Sequence, residues 1–305
     1  MYRDLLSHLP VVLAVARRGG FASAAAELGM SPSAVSHAVR IVEDRLGVPL
    51  FARTTRSVAL TEAGMALQSS IGPAFFDIEE ALDRTRSTAG NVTGHLRLNV
   101  PRAALAIAVT PVVKELTRRH PNLTVEIASE DASIDIIAHS FDAGVRLGEM
   151  IAQDMIAVRL SPPFKTILVA SPDYLAVKGE PLEIGDLAHH NCIGFRQITS
   201  GGIYDWELAE NGAVVSVVVK GTPLVNDSTY AKDLALAGVG IAYTFEPLVR
   251  HEIRSGQLKW LIPHTAIDEP GMFLYYPRRA SMAPKLRAFI DVATEIFAAK
   301  HRNAS

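Results

Sequence analysis

One cysteine, Cys192, stands in 305 residues, which excludes an intramolecular disulfide framework and leaves too little thiolate for a zinc cluster. No apolar run approaches the ~18 residues that a membrane-spanning helix needs. There is no Walker loop and no G-x-S-x-G nucleophile elbow. Nor is there a bulk excess of positive charge, since the formal net charge is −2. Charged residues are only 20% of the chain and apolar residues 49%, so extended disorder is excluded and globular packing is expected. The length favours two or three domains. Leu9–Ala16 (LPVVLAVA) is short for a secretory core, and its basic pair Arg17-Arg18 follows the apolar run instead of preceding it, so a cytoplasmic location is expected.

The near-zero net charge hides an asymmetry. Residues 1–60 hold seven arginines against four carboxylates, while residues 61–90 hold two against five. The first lysine is Lys114, so every full cation before it is an arginine, whose fixed fork of donors suits phosphates and guanine edges. Within this basic head, Phe21, Ala25 and Leu28 form one apolar stripe, and Gly29 supplies a turn. Ser31-Pro32 reads as N-cap and first residue of a second helix. There Val35, Val39, Val42 and Leu46 lie within about 60° of one another at helical spacing, which defines an inward face. Ser33, Ser36, His37 and Arg40 fall opposite, and Gly47 with Pro49 ends the helix. Two short helices joined by a glycine turn, the second with a polar outer face, have the form of a helix-turn-helix. An amphipathic helix whose polar face simply meets water is the alternative. Leu50-Phe51 and Val58–Leu60 then bracket Arg53-Thr54-Thr55-Arg56, a basic tip between two short strands, which would set arginines beside a phosphate backbone.

The run from Phe21 to Gly64 resembles the winged helix-turn-helix of LysR-type transcriptional regulators. The SPSAVS helix start, the E-x-x-LG-x-PLF passage (Glu43, Leu46, Gly47, Pro49–Phe51) and the RTTR…LTEAG wing exit carry the likeness, and the RTTR tip is similar to the CrgA-like branch. Val42 stands where the family usually has leucine. The resemblance implies a base-reading face at Ser31, Pro32, Ser33, Ser36, His37 and Arg40, and phosphate contacts at Arg53, Thr54 and Arg56. His37 occupies a position that is often arginine or lysine.

Thr61-Glu62 opens a long helix with apolar residues Ala63, Leu67, Ile71, Ala74, Phe75, Ile78 and Leu82, and with Glu79, Glu80 and Asp83 expected toward solvent. Gly72-Pro73 should bend it. A helix this long leaving a small domain is covered most simply by a second copy, and the resemblance implies the family's dimerising linker. Residues 87–91 read as a hinge.

Beyond the hinge, strands and helices alternate. Strands are expected at His95–Val100, Leu123–Ala128 and Ala143–Arg146, with helices from Pro101 to about Arg119 and over Ser133–His139. A second set starts at Thr166–Ala170 and includes a hairpin about Asn211-Gly212, a helix Ser228–Ala237 and a strand Ile241–Thr244. Met272–Tyr276 and the terminal helix Pro284–Lys300 are expected to return to the first half. Such alternation implies largely parallel sheets, which bind ligands beyond the carboxyl ends of their strands, at helix N-termini. Pro101, Arg102, Ser129, Asn226 and Asp227 lie at such junctions, and Arg146 follows a strand. Arg196 and Ser200 would face them from the second half, and opposed arginines suit a carboxylate or other small anion. The passages SIDIIAHSFDAGVRLGE, VASPDYL, DLAHHNCIGFR, AGVGIAY and LYYPRR…KLRAFID resemble the CrgA-like effector-binding module, which is similar to a two-lobed periplasmic binding protein.

The expected fold is therefore α/β. A winged helix-turn-helix (1–61) leads through a dimerising linker helix and hinge (62–94) to a two-lobed effector domain (95–305). Lobe 1 is expected over 95–165 and 267–305, and lobe 2 over 166–266. The expected function is a LysR-type regulator bound to promoter DNA as a dimer or tetramer, modulated by a small effector and touching RNA polymerase if it activates. No catalytic residue, metal or cofactor is assigned. His189-His190-Asn191-Cys192 lacks a second ligand cluster, and Gly238-Val239-Gly240 lacks the remainder of a dinucleotide fingerprint. The alternatives are a ligand-binding module whose head engages a protein, an enzyme using the inter-lobe cleft, and a redox sensor acting through Cys192.

Overall fold

The structure is a computed structural model that describes residues 5–53, 58–86, 92–132, 134–137, 139, 141–148, 155–278 and 283–302. The chain divides into two units, Met1–Gly90 with Asp135–Asp142, and Asn91–Ile134 with Ala143–Ser305.

In the first unit three helices, α1 (Leu9–Arg18), α2 (Phe21–Leu28) and α3 (Pro32–Leu46), precede a hairpin of β1 (Phe51–Arg53) and β2 (Val58–Leu60) and the long α4 (Glu62–Arg86). The run LPVVLAVA is α1, buried at Val11, Val12 and Val15 against Ala24 and Ala25 of α2 and Val35, Ala38 and Val39 of α3. Between α2 and α3 the chain reverses through Gly29 at φ 62°, a left-handed conformation that costs a residue without Cβ nothing. Leu46, expected on the inward face of α3, is exposed instead. It sits in the last turn, where the helix has outrun its neighbours, and Ala38 takes a place in the core. Helix α4 runs unbroken through Pro73. Its first turns, at Ala63 and Leu67, pack on the core.

Among the described residues the second unit carries four sheets, two of them larger than the others. The first is ordered β4-β3-β5-β16-β6, from β3 (Gly94–Val100), β4 (Leu123–Ser129), β5 (Ala143–Leu147), β6 (Met155–Arg159) and β16 (Met272–Pro277). Helix α5 (Arg102–Ala104) continues through a π-helical turn, Leu105–Val109, into α6 (Thr110–Arg119). The wide turn lies just before Pro111, whose ring would crowd the carbonyl four residues back in a regular α-helix. The second sheet is centred on β7 (Phe164–Ala170), flanked by α7 (Pro172–Lys178). Strand β8 (Gly194–Arg196) lies between β12 (Leu224–Val225) and β9 (Ile203–Tyr204), and a parallel bridge from Cys192 to Ile241 links this group toward β13 (Ala242–Phe245). β10 (Trp206–Glu210) and β11 (Ala213–Val217) form the expected hairpin, with Asn211 and Gly212 both at positive φ. Helices α8 (Ser228–Leu236) and α9 (Glu246–Arg254), strands β14 (Lys259–Leu261) and β15 (Ile267–Glu269), and α10 (Pro284–Arg302) complete the chain.

In each of these two sheets the strand that has just arrived from the other lobe runs against its neighbours, and in the second every pairing is antiparallel where a largely parallel sheet was expected. In the first, β3 runs parallel to β4 and β5, while β16 is antiparallel to β5 and β6. In the second, β7 is antiparallel to β13, β14 and β15. The expected return of β16 and α10 to the first lobe is observed, since α10 packs on α6 and β3. Two expectations are corrected. Ile267–Glu269 pairs with β7 and belongs to the second sheet, so the chain returns to lobe 1 only after Glu269. The helix expected over Ser133–His139 is a turn at its described residues: Asp135 accepts the Ile137 N–H on its own carboxylate at 2.9 Å, a local bond that competes with helix formation.

Candidate functional site

The polar face of α3 is built from its first residue. Ser31 caps the helix by accepting the Ala34 N–H at 3.2 Å, and its hydroxyl also meets that of Ser33 at 2.9 Å. Val35, Ala38, Val39 and Val42 point inward, which turns Pro32, Ser33, His37 and Arg40 out to solvent, with Ser36 half-buried between. Arg40 donates from Nη2 to Nδ1 of His37 at 3.4 Å. Not every arginine of the basic head is available: Arg17 and Arg18 both pair with Glu27. Partial burial raises the Glu27 carboxyl, but hydrogen bonds and charge from Arg18 and Arg17 outweigh it and hold the group below the usual carboxylate range.

The sequence passages that follow α3 prove to be one clamp. Glu43 accepts the N–H groups of Leu50 (2.8 Å) and Phe51 (3.2 Å) on one oxygen, tying the start of β1 to α3. Thr61 donates to the Pro49 carbonyl at 2.7 Å and accepts the Gly64 N–H at 3.1 Å, capping α4 while closing the wing. A Cβ at Gly64 would lie 2.1 Å from the Leu50 carbonyl oxygen, so this approach admits glycine alone. Glu43, Thr61 and Gly64 were legible as parts of motifs, but their structural task was not. Arg53 closes β1, paired with Val58. Thr54 and Arg56 lie outside the described residues.

In the second unit, Pro101 precedes α5 and Arg102 opens it. The Arg102 N–H donates to Asp131 at 2.9 Å, and its guanidinium reaches across to Asp227 in the other lobe. Asp227 is also the N-cap of α8, accepting from the Thr229 N–H (2.9 Å) and the Tyr230 N–H (3.3 Å). Burial raises its carboxyl, yet these N–H groups and Arg102 prevail and hold it low. Ser129 pairs with Val100 at the end of β4, and its hydroxyl is buried. Asn226 is exposed beside Asp227.

Arg146 stands differently from its expected place. It is 5% exposed and donates to the Val145 carbonyl (2.7 Å), the Asn99 side chain (2.8 Å) and the Ala132 carbonyl (2.7 Å), all within lobe 1. Burial lowers its proton affinity, against the fields of Tyr275, Asp131 and Glu130. Arg196 donates to the Gly201 carbonyl at 2.6 Å, and Ser200 bonds Gln197 at 2.7 Å, so these two shape one loop of lobe 2. The two arginines therefore do not meet across a cleft, and an ion pair that does join the lobes is Arg102 with Asp227. Asn99 and Asp131 went unnoticed in the sequence because nothing local marks them.

His190 meets the Tyr174 hydroxyl at 3.2 Å, and among the described residues no group of three metal-ligating side chains gathers. Cys192 is buried, and burial pushes its thiol up to about 12, which keeps it protonated at neutral pH and argues against redox sensing. Gly238 ends α8 at φ 74°, as a helix stop should.

Comparison with known proteins agrees with this geometry. Residues 6–65 match the bacterial regulatory helix-turn-helix protein family of LysR type, and residues 89–298 match the LysR substrate binding domain. The chain is 37% identical over 286 residues to an HTH-type transcriptional regulator of Escherichia coli (strain K12), YcaN, covering 94% of this chain and 93% of that one. Among solved structures it is similar to CrgA, a LysR-type transcriptional regulator from Neisseria meningitidis (26% identity, TM-score 0.61, 95% and 98% covered). It is also similar to a full-length AphB variant (22% identity, TM-score 0.70, 96% and 98% covered). With its winged head and two-lobed body, the chain belongs to the LysR family of DNA-binding transcriptional regulators.

Proposed function

We propose that this regulator works as a dimer or tetramer in the cytoplasm, and that a small anionic effector, a carboxylate in the simplest case, binds where Arg102 meets Asp227. The observation that carries the reading is the Arg102 guanidinium itself. It stands at the start of α5, opposite the start of α8, and its present partner is a carboxylate from the other lobe. Helix N-termini favour negative charge, and an arginine fork binds a carboxylate through two donors. An effector that competes with Asp227 for Arg102 interacts differently with the bridged and unbridged lobes, which is the condition for shifting one arrangement toward another. Arg146, Asn99 and Ser129 then serve lobe 1 as scaffold below that point, and Arg196 and Ser200 order a loop of lobe 2.

Dimerisation through the 62–88 helix is supported by apolar residues of α4 that its own unit leaves uncovered. Ile78 and Leu82 are 53% and 51% exposed, on the face that Ala63 and Leu67 begin. The DNA contacts proposed are the α3 face and the wing, with Arg53, Thr54 and Arg56 on phosphates. RNA polymerase contact is proposed only for activation.

Thermal melting with a panel of small mono- and dicarboxylates tests the effector reading. Asp227→Asn keeps the α8 cap, because asparagine caps as well as aspartate, while it frees Arg102. Carboxylates that raise the melting temperature of the wild type should bind this variant more tightly and Arg102→Ala weakly. Equal binding by all three proteins would place the effector elsewhere.

A further inference from the structure

Two of the outward side chains on α3 act on each other. Arg40 Nη2 meets His37 Nδ1 at 3.4 Å, one helical turn apart on the same face. A guanidinium has donors only, so the imidazole nitrogen it meets is the acceptor. In the neutral imidazole that pairing puts the ring hydrogen on Nε2, at the opposite edge. The pair thus offers two different tools to a partner. His37 presents a single donor of fixed polarity. Arg40 keeps at least one two-donor edge of its fork, whichever Nη2 hydrogen faces the imidazole.

His37 and Arg40 are the longest of the outward side chains on this face, beside Pro32 and Ser33. The Ser31 hydroxyl is taken by Ser33 and by the Ala34 N–H. Inward of them lie Val35, Ala38 and Val39, apolar and buried. Arginine has a long, flexible stem, and ordering it on docking is costly unless something on the protein already holds it. A lysine or arginine at position 37 would repel Arg40, whereas a neutral histidine holds it.

We propose that His37 is a positioning and specificity-determining residue. It holds the Arg40 fork in its base-reading pose, and its Nε2–H donates to an acceptor on the major-groove edge: guanine O6 or N7, adenine N7 or thymine O4. Membership of the base-facing row alone does not imply this, because here the two contacts depend on one another and the imidazole cannot accept from a base through Nε2. Cytosine, whose major-groove edge offers a donor, is selected against at the His37 contact.

Two near-isosteres separate the functions. Asparagine sets an acceptor near the place of Nδ1 and nothing at Nε2, while glutamine sets a donor near Nε2 and loses the Nδ1 acceptor. The full-length wild type, Arg40→Ala, His37→Ala, His37→Asn and His37→Gln would each select from a randomised duplex library, with base preferences read by sequencing. The position whose preference vanishes in Arg40→Ala is the Arg40 contact. His37→Ala and His37→Gln should weaken that preference about tenfold, and His37→Asn should restore most of it while losing the neighbouring one that Nε2 supplies. His37→Gln should keep that neighbouring preference. An Arg40 preference left within about twofold of wild type in His37→Ala overturns the proposal. So does failure of His37→Asn to restore it at an unchanged melting temperature. A wild type that enriches no sequence would refute sequence-specific binding itself, which is a separate and recognisable result.

Discussion

Glu43→Ala tests whether the recognition helix sets the wing. One carboxylate oxygen of Glu43 takes the Leu50 N–H at 2.8 Å and the Phe51 N–H at 3.2 Å, and both residues are buried. A hydrogen bond to a charged acceptor contributes about 1.5–3 kcal/mol, and two donors on one oxygen fall short of additive, so removal costs about 2–4 kcal/mol. In a unit this small that lowers the melting temperature by on the order of 10 °C. Glutamine keeps an acceptor without the charge and should recover about half of the loss. Hydrogen exchange reads the effect locally, since the Leu50 and Phe51 amides should lose protection before those of α1 or α2. With the wing released, the phosphate contacts proposed for Arg53 and Arg56 should be lost, and the salt dependence of DNA binding should flatten by about two counterions. Wild-type protection at both amides together with an unchanged melting temperature would refute the clamp.

Gly64→Ala adds a methyl 2.1 Å from the Leu50 carbonyl oxygen. The overlap should destabilise the head by about 3 kcal/mol, exceeding the ~1 kcal/mol of added helix propensity, and a urea midpoint no lower than wild type would contradict it. The Glu27 carboxyl lies below its unfolded range, so its pairing with Arg17 and Arg18 stabilises fully above that range and is lost as pH falls through the folded value. Wild type should therefore melt above Glu27→Gln at pH 7, with the gap closing below about pH 4, and a constant gap would exclude the linkage. With its thiol pushed up to about 12 by burial, Cys192 should resist an aromatic disulfide reagent at pH 8 and react once urea unfolds the chain. Rapid reaction in the native protein would reopen the redox alternative.

What the sequence disclosed was local. The α3 cap at Ser31, the period of Val35, Val39 and Val42, and the Asn211-Gly212 turn each rest on neighbours within one or two turns of chain, and each stands in the structure. Helix α1 escaped notice because LPVVLAVA is apolar throughout and has no periodicity to read. Ser133–His139 read as a helix because its composition allowed one, whereas the Asp135 side chain chose a turn. Strand β15 looked like the start of the return to lobe 1, but its partner β7 lies about a hundred residues earlier. Distance along the chain also hid an inter-lobe ion pair: Arg102 and Asp227 were both named, yet nothing local pairs residues 125 apart. Arg146 illustrates the converse, since its place after a strand was legible while its burial against Asn99 and Ala132 depends on the packed lobe.

Methylation of guanine N7 by dimethyl sulfate probes the major groove directly and tests the account at its root. Bound protein should protect guanines in two half-sites about one helical turn or a multiple apart, and Arg40→Ala should expose one guanine in each again. Unaltered N7 reactivity beneath a complex that still shields the sugar–phosphate backbone would mean that α3 does not enter the groove.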